Sequence, residues 1–326
     1  MALASPYPDV EIQNLSVPEF VLAAGRERPD APALIDGLKG DVITHGQLAA
    51  YVDRVAAALH ARGLRKGDVV AVFCPNTPWY PVVFHGIAAA GCVMSPINSL
   101  YTPDEIAFQL KDSGAKILIT IGLFLDRAKE ATQKTPVDEI VVLDGAEGHS
   151  SLRDLLASDA PAVQVDIDPA DDLVTLPYSS GTTGLPKGVM LTHRNMVANV
   201  SQTRPLIDLH EGDERIIAVL PFFHIYGLTV LMNQGLQWGG TVVTLPRFDL
   251  EDFLPPSRTT RSPARSSPRR SWSRWPSTRS STSTTCPRCA RSCPAPRRST
   301  SRSRWRSSTG CARVPPPASP WRRATA

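Results

Sequence analysis

The chain has 326 residues, with 35 Lys+Arg, 31 Asp+Glu and a formal charge of +4, a length that suits one large domain or two ordinary ones. The mean charge hides a split: residues 255–326 hold 17 Arg and no Lys, Asp or Glu, so residues 1–254 carry 18 Lys+Arg against 31 Asp+Glu, or −13. That acidic balance argues against a nucleic-acid surface in the first 254 residues.

In chain order, MALASPYPDVEIQ lacks the basic start and apolar core of a secretory leader. Ser16-Val17-Pro18-Glu19 reads as a capping box opening a helix through Leu22. Leu48, Val52, Val55, Ala56 and Leu59 follow helical spacing, with Gly63 as the stop. Residues 68–73 read as a buried strand, followed by a helix near 79–89 and a short strand at 92–95. The longest apolar run, 81–97, is broken by His85, Gly86, Gly91 and Pro96, so no membrane span is predicted. Cys74 and Cys92 lie in apolar surroundings and read as buried, inert thiols in a reduced, cytoplasmic protein. Thr102-Pro103-Asp104-Glu105 is a second capping box with proline at the first helical position. A strand at Lys116–Thr120, a helix near 122–132 and a strand at Glu139–Leu143 follow. A turn-rich link near 145–170 leads to a strand at Leu173–Tyr178. Such alternation predicts an α/β fold with a mostly parallel sheet covered by helices.

That last strand runs into Ser179-Ser180-Gly181-Thr182-Thr183-Gly184-Leu185-Pro186-Lys187-Gly188. Three glycines let the backbone bend and approach a ligand, and successive N–H groups can form an anion-binding nest. Four hydroxyls add donors, and Lys187 adds a mobile positive charge suited to phosphate. The pattern suits a polyphosphate. It is not the P-loop of ATPases, because Gly188 follows Lys187 where Ser or Thr is needed, and Val189–Thr192 reads as a second strand.

SSGTTGLPKGVMLTH resembles the signature loop of the adenylate-forming enzymes: acyl-CoA synthetases, adenylation domains of peptide synthetases and luciferases. GLRKGDVVAVFCPNTPWY (63–80), INSLYTPDEIAFQLKDSGAKILIT (97–120) and LPFFHIYGLTVLMN (220–233) resemble 4-coumarate–CoA ligases and their bacterial relatives. Over residues 1–254 the resemblance implies part of the large N-terminal domain of such an enzyme. It implies ATP, Mg²⁺ and coenzyme A, with a small carboxylic acid as substrate. The acid attacks the α-phosphorus of ATP to give an acyl-adenylate and pyrophosphate, and the thiol then displaces AMP. Ser179, Ser180, Gly181, Thr182, Thr183 and Gly184 are expected to cradle the β- and γ-phosphates, and Lys187 to offset their charge. His224 matches a residue beside the acyl carboxylate. Tyr226 matches an acyl-pocket position, with a core aromatic as the alternative. Arg247 sits where plant relatives carry a lysine near coenzyme A, with a solvated surface charge as the alternative. The family's Tyr-Gly-x-Thr-Glu string, which supplies adenine contacts and a magnesium carboxylate, is absent, so no residue is assigned to a metal and this chain is expected to be inactive. A medium- or long-chain fatty acyl-CoA synthetase is the alternative within the class.

Residues 255–326 hold 17 Arg, 17 Ser, 12 Pro and 9 Thr, with Val314 the single aliphatic side chain above alanine. This composition cannot bury enough apolar surface to offset chain entropy, so a disordered tail is expected. A nucleic-acid arm (SRSRWRSS, 301–308) is one reading. A metal site from Cys286, Cys289, Cys293 and Cys311 is another, though no His accompanies them and the spacing fits no zinc module well. A further reading explains more: 71 of the 72 residues have codons with C or G in the middle. In GC-rich genes the third codon base is nearly always C or G, and a one-base shift moves it to the middle. Decoded one base back, Thr285–Cys289 is compatible with the family's Asp-Leu-Ser-Ser-Leu, and Cys293–Ser299 with Leu-Ser-Gly-Ala-Ala-Pro-Leu. The tail is therefore expected to be an out-of-frame translation beginning near Leu254.

Overall fold

The structure, a computed structural model, describes residues 7–179, 186–207, 212, 214–247 and 249–250. The expected disordered tail and the centre of the glycine-rich loop lie outside the described residues. Helix α1 (Val17–Arg26) opens on the expected capping box: Ser16 Oγ accepts from the Glu19 N–H at 3.4 Å, and Glu19 Oε2 accepts from the Ser16 N–H at 2.9 Å. Strands β1 (Pro32–Asp36) and β2 (Val42–Thr44) follow. Helix α2 (His45–Ala61) starts on a second box, Thr44 with Gln47, and buries Leu48, Val52, Val55, Ala56 and Leu59 as its spacing predicts. Next come β3 (Val69–Phe73), α3 (Trp79–Ala89), β4 (Val93–Pro96) and α4 (Pro103–Ser113). Helix α4 begins on the Thr102–Glu105 box and ends at left-handed Gly114. Strand β5 (Ile117–Thr120) leads through a short 3₁₀ turn to α5 (Leu125–Thr132) and β6 (Glu139–Val142).

The turn-rich link also holds β7 (Ser150–Ser151) and α6 (Leu152–Leu156), because Ser151 and Asp154 cap each other across the first turn. The strand expected at 173–178 divides into β8 (Leu173–Thr175) and β9 (Tyr178–Ser179). Pro177 between them has no N–H to give a ladder. Of the strand expected at 189–192 only β11 (Leu191–Thr192) forms; β10 (Lys187–Gly188) precedes it, and the Val189 N–H donates to Pro177 O in register with the β9–β10 pair. Helix α7 (His193–Thr203), β12 (Arg215–Ala218), a π-helical segment (Gly227–Asn233), α8 (Gln234–Gln237) and β13 (Thr241–Thr244) complete the described chain.

Seven strands form one sheet in the order β11-β8-β4-β3-β5-β6-β7, parallel except where β11 meets β8. Four form another, β12-β13-β1-β2, parallel except for β2. Along β3 the side chains alternate between two buried clusters: Val70 and Val72 join that of α1, α2 and α3, while Ala71 and Phe73 join Ile106 and Leu110 of α4. Burial on both faces accounts for the continuous apolar run of this strand. Helix α3 comes close to α2 at Gly86, where a Cβ would stand 2.5 Å from Val55 Cγ1.

Candidate active site

Strands β9 and β10 close the glycine-rich loop as an antiparallel pair, with Lys187 opposite Ser179 and Gly188 opposite Tyr178. Both Ser179 and Lys187 are exposed. Gly188 leaves room for the tyrosine ring, since a Cβ there would stand 3.2 Å from two of its carbons. The Tyr178 hydroxyl donates to Asp112 Oδ2 of α4 at 2.6 Å. Burial first, then the Asp112 hydrogen bond and charge, push this phenol above its ordinary value, so it stays a neutral donor. The hairpin is thus tied to α4 at its base. Ser180, Gly181, Thr182, Thr183 and Gly184, expected at its tip, lie outside the described residues.

The hairpin leaves the carboxyl end of β8. Strand β3, parallel in the same sheet, ends at the same edge and continues into Cys74-Pro75-Asn76. Asn76 is buried, and its amide is fully engaged. Nδ2 donates to Ala218 O at 3.1 Å and Leu220 O at 2.9 Å, while Oδ1 accepts from the Phe222 N–H at 2.8 Å. This side chain therefore draws the segment after β12 to the edge from which the hairpin emerges. Tyr80 of α3 adds a ring contact to Phe222, with centroids 5.5 Å apart. The chain then turns so tightly that a Cβ on Gly227 would stand 2.2 Å from the Pro221 carbonyl oxygen.

His224 and Tyr226 lie on the outer side of that turn, both exposed. The Tyr226 N–H donates to His224 Nδ1 at 3.3 Å. An accepting Nδ1 leaves the proton on Nε2, so the ring offers an N–H donor outward. The alternative of Tyr226 as a core aromatic is corrected: its side chain is 49% exposed, because the turn points it away from the apolar cluster holding Phe222. Arg247 is exposed and follows β13, which pairs in parallel with β12; the two carboxyl ends stay linked by Leu245 N–H to Ala218 O at 3.4 Å. Hairpin, His224 segment and Arg247 all follow carboxyl ends of parallel strands, the usual location of ligand sites in open α/β sheets.

Sequence reading missed Asn76 and the Tyr178–Asp112 tie. A signal for Asn76 existed: an amide just past a buried strand and followed by Thr-Pro, in a string already singled out. Three buried histidines, His45, His85 and His193, stand apart from the site. His193 Nδ1 accepts the Val17 N–H at 3.0 Å, and burial lowers this imidazole to about 4. Burial lowers His85 to about 3. Burial also raises both thiols, Cys92 to about 12, in keeping with the inert role expected of them. A cavity of about 430 Å³ lined by Lys129, Gln133, Glu139 and His149 lies at the far margin of the seven-stranded sheet, by β6 and β7. No helix among the described residues is long and apolar enough to cross a membrane.

Comparison with known proteins gives this geometry a family. Residues 21–260 match the family described as AMP-binding enzyme. The chain is 38% identical over 252 residues to 4-coumarate–CoA ligase 3 of Oryza sativa subsp. japonica, covering 76% of this chain and 45% of that protein. It is 39% identical over 257 residues to 4-coumarate–CoA ligase-like 9 of the same plant, covering 77% and 46%. It thus spans about half the length of the curated relatives it matches. Among solved structures, the N-terminal domain of FACL13 from Mycobacterium tuberculosis superposes with a TM-score of 0.67 at 28% identity, covering 75% of this chain and 60% of that one. A long-chain-fatty-acid-CoA ligase, FadD1 of Archaeoglobus fulgidus, superposes at 0.69 with 27% identity, covering 76% and 50%. An α/β architecture with the glycine-rich hairpin at its strand ends and these relatives agree: this chain belongs to the AMP-binding, adenylate-forming enzyme family, whose members here include acid–thiol ligases.

Proposed function

We propose that residues 1–254 are part of the adenylation domain of an ATP-dependent acid–thiol ligase of the 4-coumarate–CoA ligase type, acting in the cytoplasm on a phenylpropanoid-like acid. The observation that carries this reading is the closure of the glycine-rich loop by Ser179 opposite Lys187. It places the Ser179 hydroxyl and the Lys187 side chain at the same sheet edge to which Asn76 draws the His224 segment. In the first half-reaction the carboxylate attacks the α-phosphorus of ATP and pyrophosphate leaves. Such chemistry asks the protein for positioning and charge neutralisation. Ser179, with Ser180, Gly181, Thr182, Thr183 and Gly184, holds the β- and γ-phosphates, and Lys187 offsets their charge. His224 Nε2–H orients the acyl carboxylate, and Tyr226 lines the acyl side. In the second half-reaction coenzyme A displaces AMP, with Arg247 near the cofactor's path. Mg²⁺ would add charge neutralisation on the phosphate oxygens. Among the described hairpin residues Ser179 could offer it a hydroxyl, and none carries a carboxylate.

Residues 255–326 we read as translation one base out of frame. The codon-middle pattern supports this, and so does the last pair of residues. Decoded one base back, Thr325 allows Tyr, His, Asn or Asp and Ala326 allows Gly, Arg, Ser or Cys, compatible with the opening of the family's Tyr-Gly-x-Thr-Glu string. Resequencing the gene from codon 255 through and past codon 326 tests this directly. A confirmed frame, with the same tail kept in close relatives, would support an Arg/Ser arm instead, whose tight salt-dependent binding to RNA or DNA would be measurable.

A protein of these 326 residues alone is proposed to make no acyl-CoA; ATP–pyrophosphate exchange above a blank would refute this. The frame-restored enzyme should adenylate 4-coumarate, and Lys187→Ala should slow single-turnover acyl-AMP formation at saturating ATP by about tenfold to a hundredfold, or about 1.4–2.7 kcal/mol. An unchanged rate would make Lys187 a solvated loop charge. The 27% identity to the long-chain-fatty-acid-CoA ligase of Archaeoglobus fulgidus keeps a fatty acyl substrate as the second reading. A panel of cinnamic and fatty acids separates the two.

A further inference from the structure

The described residues hold one polar side chain that joins the two sheets at the site and belongs to no assigned group. Asn76 extends from the carboxyl end of β3 in the seven-stranded sheet. It grips the chain leaving β12 in the four-stranded sheet through three hydrogen bonds of 2.8–3.1 Å. It is buried, with both N–H donors and its carbonyl used. A buried amide satisfied on every side by backbone fixes where that backbone runs, since any shift leaves several polar groups without partners. The gripped residues, Ala218, Leu220 and Phe222, end two positions before His224. From the other side, Gly227 rests against the Pro221 carbonyl, and the Leu228 N–H donates to His224 O at 3.0 Å. His224 therefore sits on a turn clamped at both ends, and the Tyr226 N–H on its Nδ1 depends on that turn's shape.

We propose that Asn76 is a positioning residue: by latching Ala218–Phe222 onto the end of β3, it holds the turn in which the Tyr226 N–H fixes His224 as the Nε2–H tautomer facing outward. The role given to that outward N–H, donating to the acyl carboxylate, rests on the proposed function. The latch and the tautomer do not. Asn76→Asp keeps the acceptor for the Phe222 N–H and removes both donors. Asn76→Ser shortens the side chain so that it no longer spans the gap.

The test uses the ¹⁵N-labelled 326-residue chain and reads the ring nitrogens of its histidines by two-bond proton–nitrogen correlation, with His224→Gln to assign the signal. The parent should show His224 almost wholly as the Nε2–H tautomer. Both Asn76 variants should show a tautomer mixture, with amide exchange at Phe222 and Leu228 at least tenfold faster and amides of Ile117–Thr120 unchanged. An unchanged His224 tautomer, or exchange that rises equally in β5, overturns the proposal, the latter because Asn76 is then a general stability residue. Should the Asn76 variants not fold, Tyr226→Pro keeps the idea open to refutation. It deletes the N–H at an exposed residue whose φ of −66° suits proline. It should release the tautomer while leaving Phe222 protected, and a persisting Nε2–H tautomer would overturn the proposal. No turnover is needed, so a failure of the ligase reading shows up in the enzymatic assays and leaves this result untouched.

Discussion

The two sheets are assembled by different routes, and the difference bears on the site between their strand ends. In the seven-stranded sheet most partners are near in sequence: β3 pairs with β4 at Val69↔Val93 and with β5 at Val70↔Ile117. The intervening helices α3 and α4 pack on its two faces. In the four-stranded sheet, β1 pairs with β13 at Leu34↔Val242, which closes a loop over almost the whole described chain. Long loops cost closure entropy before their contacts reward it. A few long-range polar contacts then hold this second sheet: Thr241 Oγ1 to Pro32 O at 2.8 Å, His45 Nε2 to Gly239 O at 3.2 Å, and the Asn76 grip. The first sheet is a framework carrying the glycine-rich hairpin, and the second delivers the His224 segment to it. Hydrogen exchange should therefore find the second sheet opening at lower free energy than the first.

Acid should break the comparison from the framework side, and by the largest amount. His85 in α3 and His193 at the start of α7 are buried and neutral, at about 3 and about 4 against an ordinary 6.5. The sign follows from linkage: a lowered imidazole is stable in the fold above pH 6.5, and that stability drains away as the unfolded chain takes up protons first. Between pH 7 and pH 4 the pair should cost on the order of 6 kcal/mol. Urea midpoints measured across that window, with His193→Gln reducing the slope, check this. A midpoint flat from pH 6.5 to 4 would mean that both rings reach water in the fold.

Gly227→Ala attacks the other side. The added carbon has nowhere to go but into the Pro221 carbonyl, 2.2 Å away, so the turn must move. Strain of this kind should cost about 3 kcal/mol. Gly114→Ala, in left-handed backbone with open space around it, should cost only about 1 kcal/mol. Equal losses in urea unfolding would remove the distinction between close backbone approach and simple conformational preference.

What was legible in the sequence follows the same division. Ser16, Thr102 and the Leu48–Leu59 stripe declared their helices because capping and helical spacing act within a few residues. Strands β3 and β5 declared themselves as apolar runs buried on both faces. Strand β1 did not: Pro-Ala-Leu-Ile-Asp is short, begins with proline and has one of its two partners 208 positions away at Val242. The π-helical segment at Gly227–Asn233 has no sequence signature, since an added residue per turn is imposed by packing. At the site, Ser179 and Lys187 were legible because they flank a dense Gly/Ser/Thr string in one continuous stretch of chain. Asn76 was not, because its partners lie 142–146 positions away and only the fold brings them together.

The smallest expected effect sharpens the comparison at the hairpin, the one site element anchored wholly in the framework. Tyr178→Phe keeps the ring against Gly188 and deletes the hydroxyl that donates to Asp112. A hydrogen bond to a carboxylate is worth more than a neutral one, but Asp112 is exposed and water competes, so the loss should be about 1 kcal/mol. The pH dependence identifies its source. The Tyr178 phenol is raised above the ordinary 10, so its contribution is present below pH 10 and fades as the unfolded chain ionises above it. Tyr178→Phe should flatten that alkaline limb and speed amide exchange at Lys187 and Gly188, leaving Phe222 as it was. If exchange rises at Phe222 as well, the hairpin and the His224 segment are one cooperative unit, and the division between framework and delivered segment does not hold at the site.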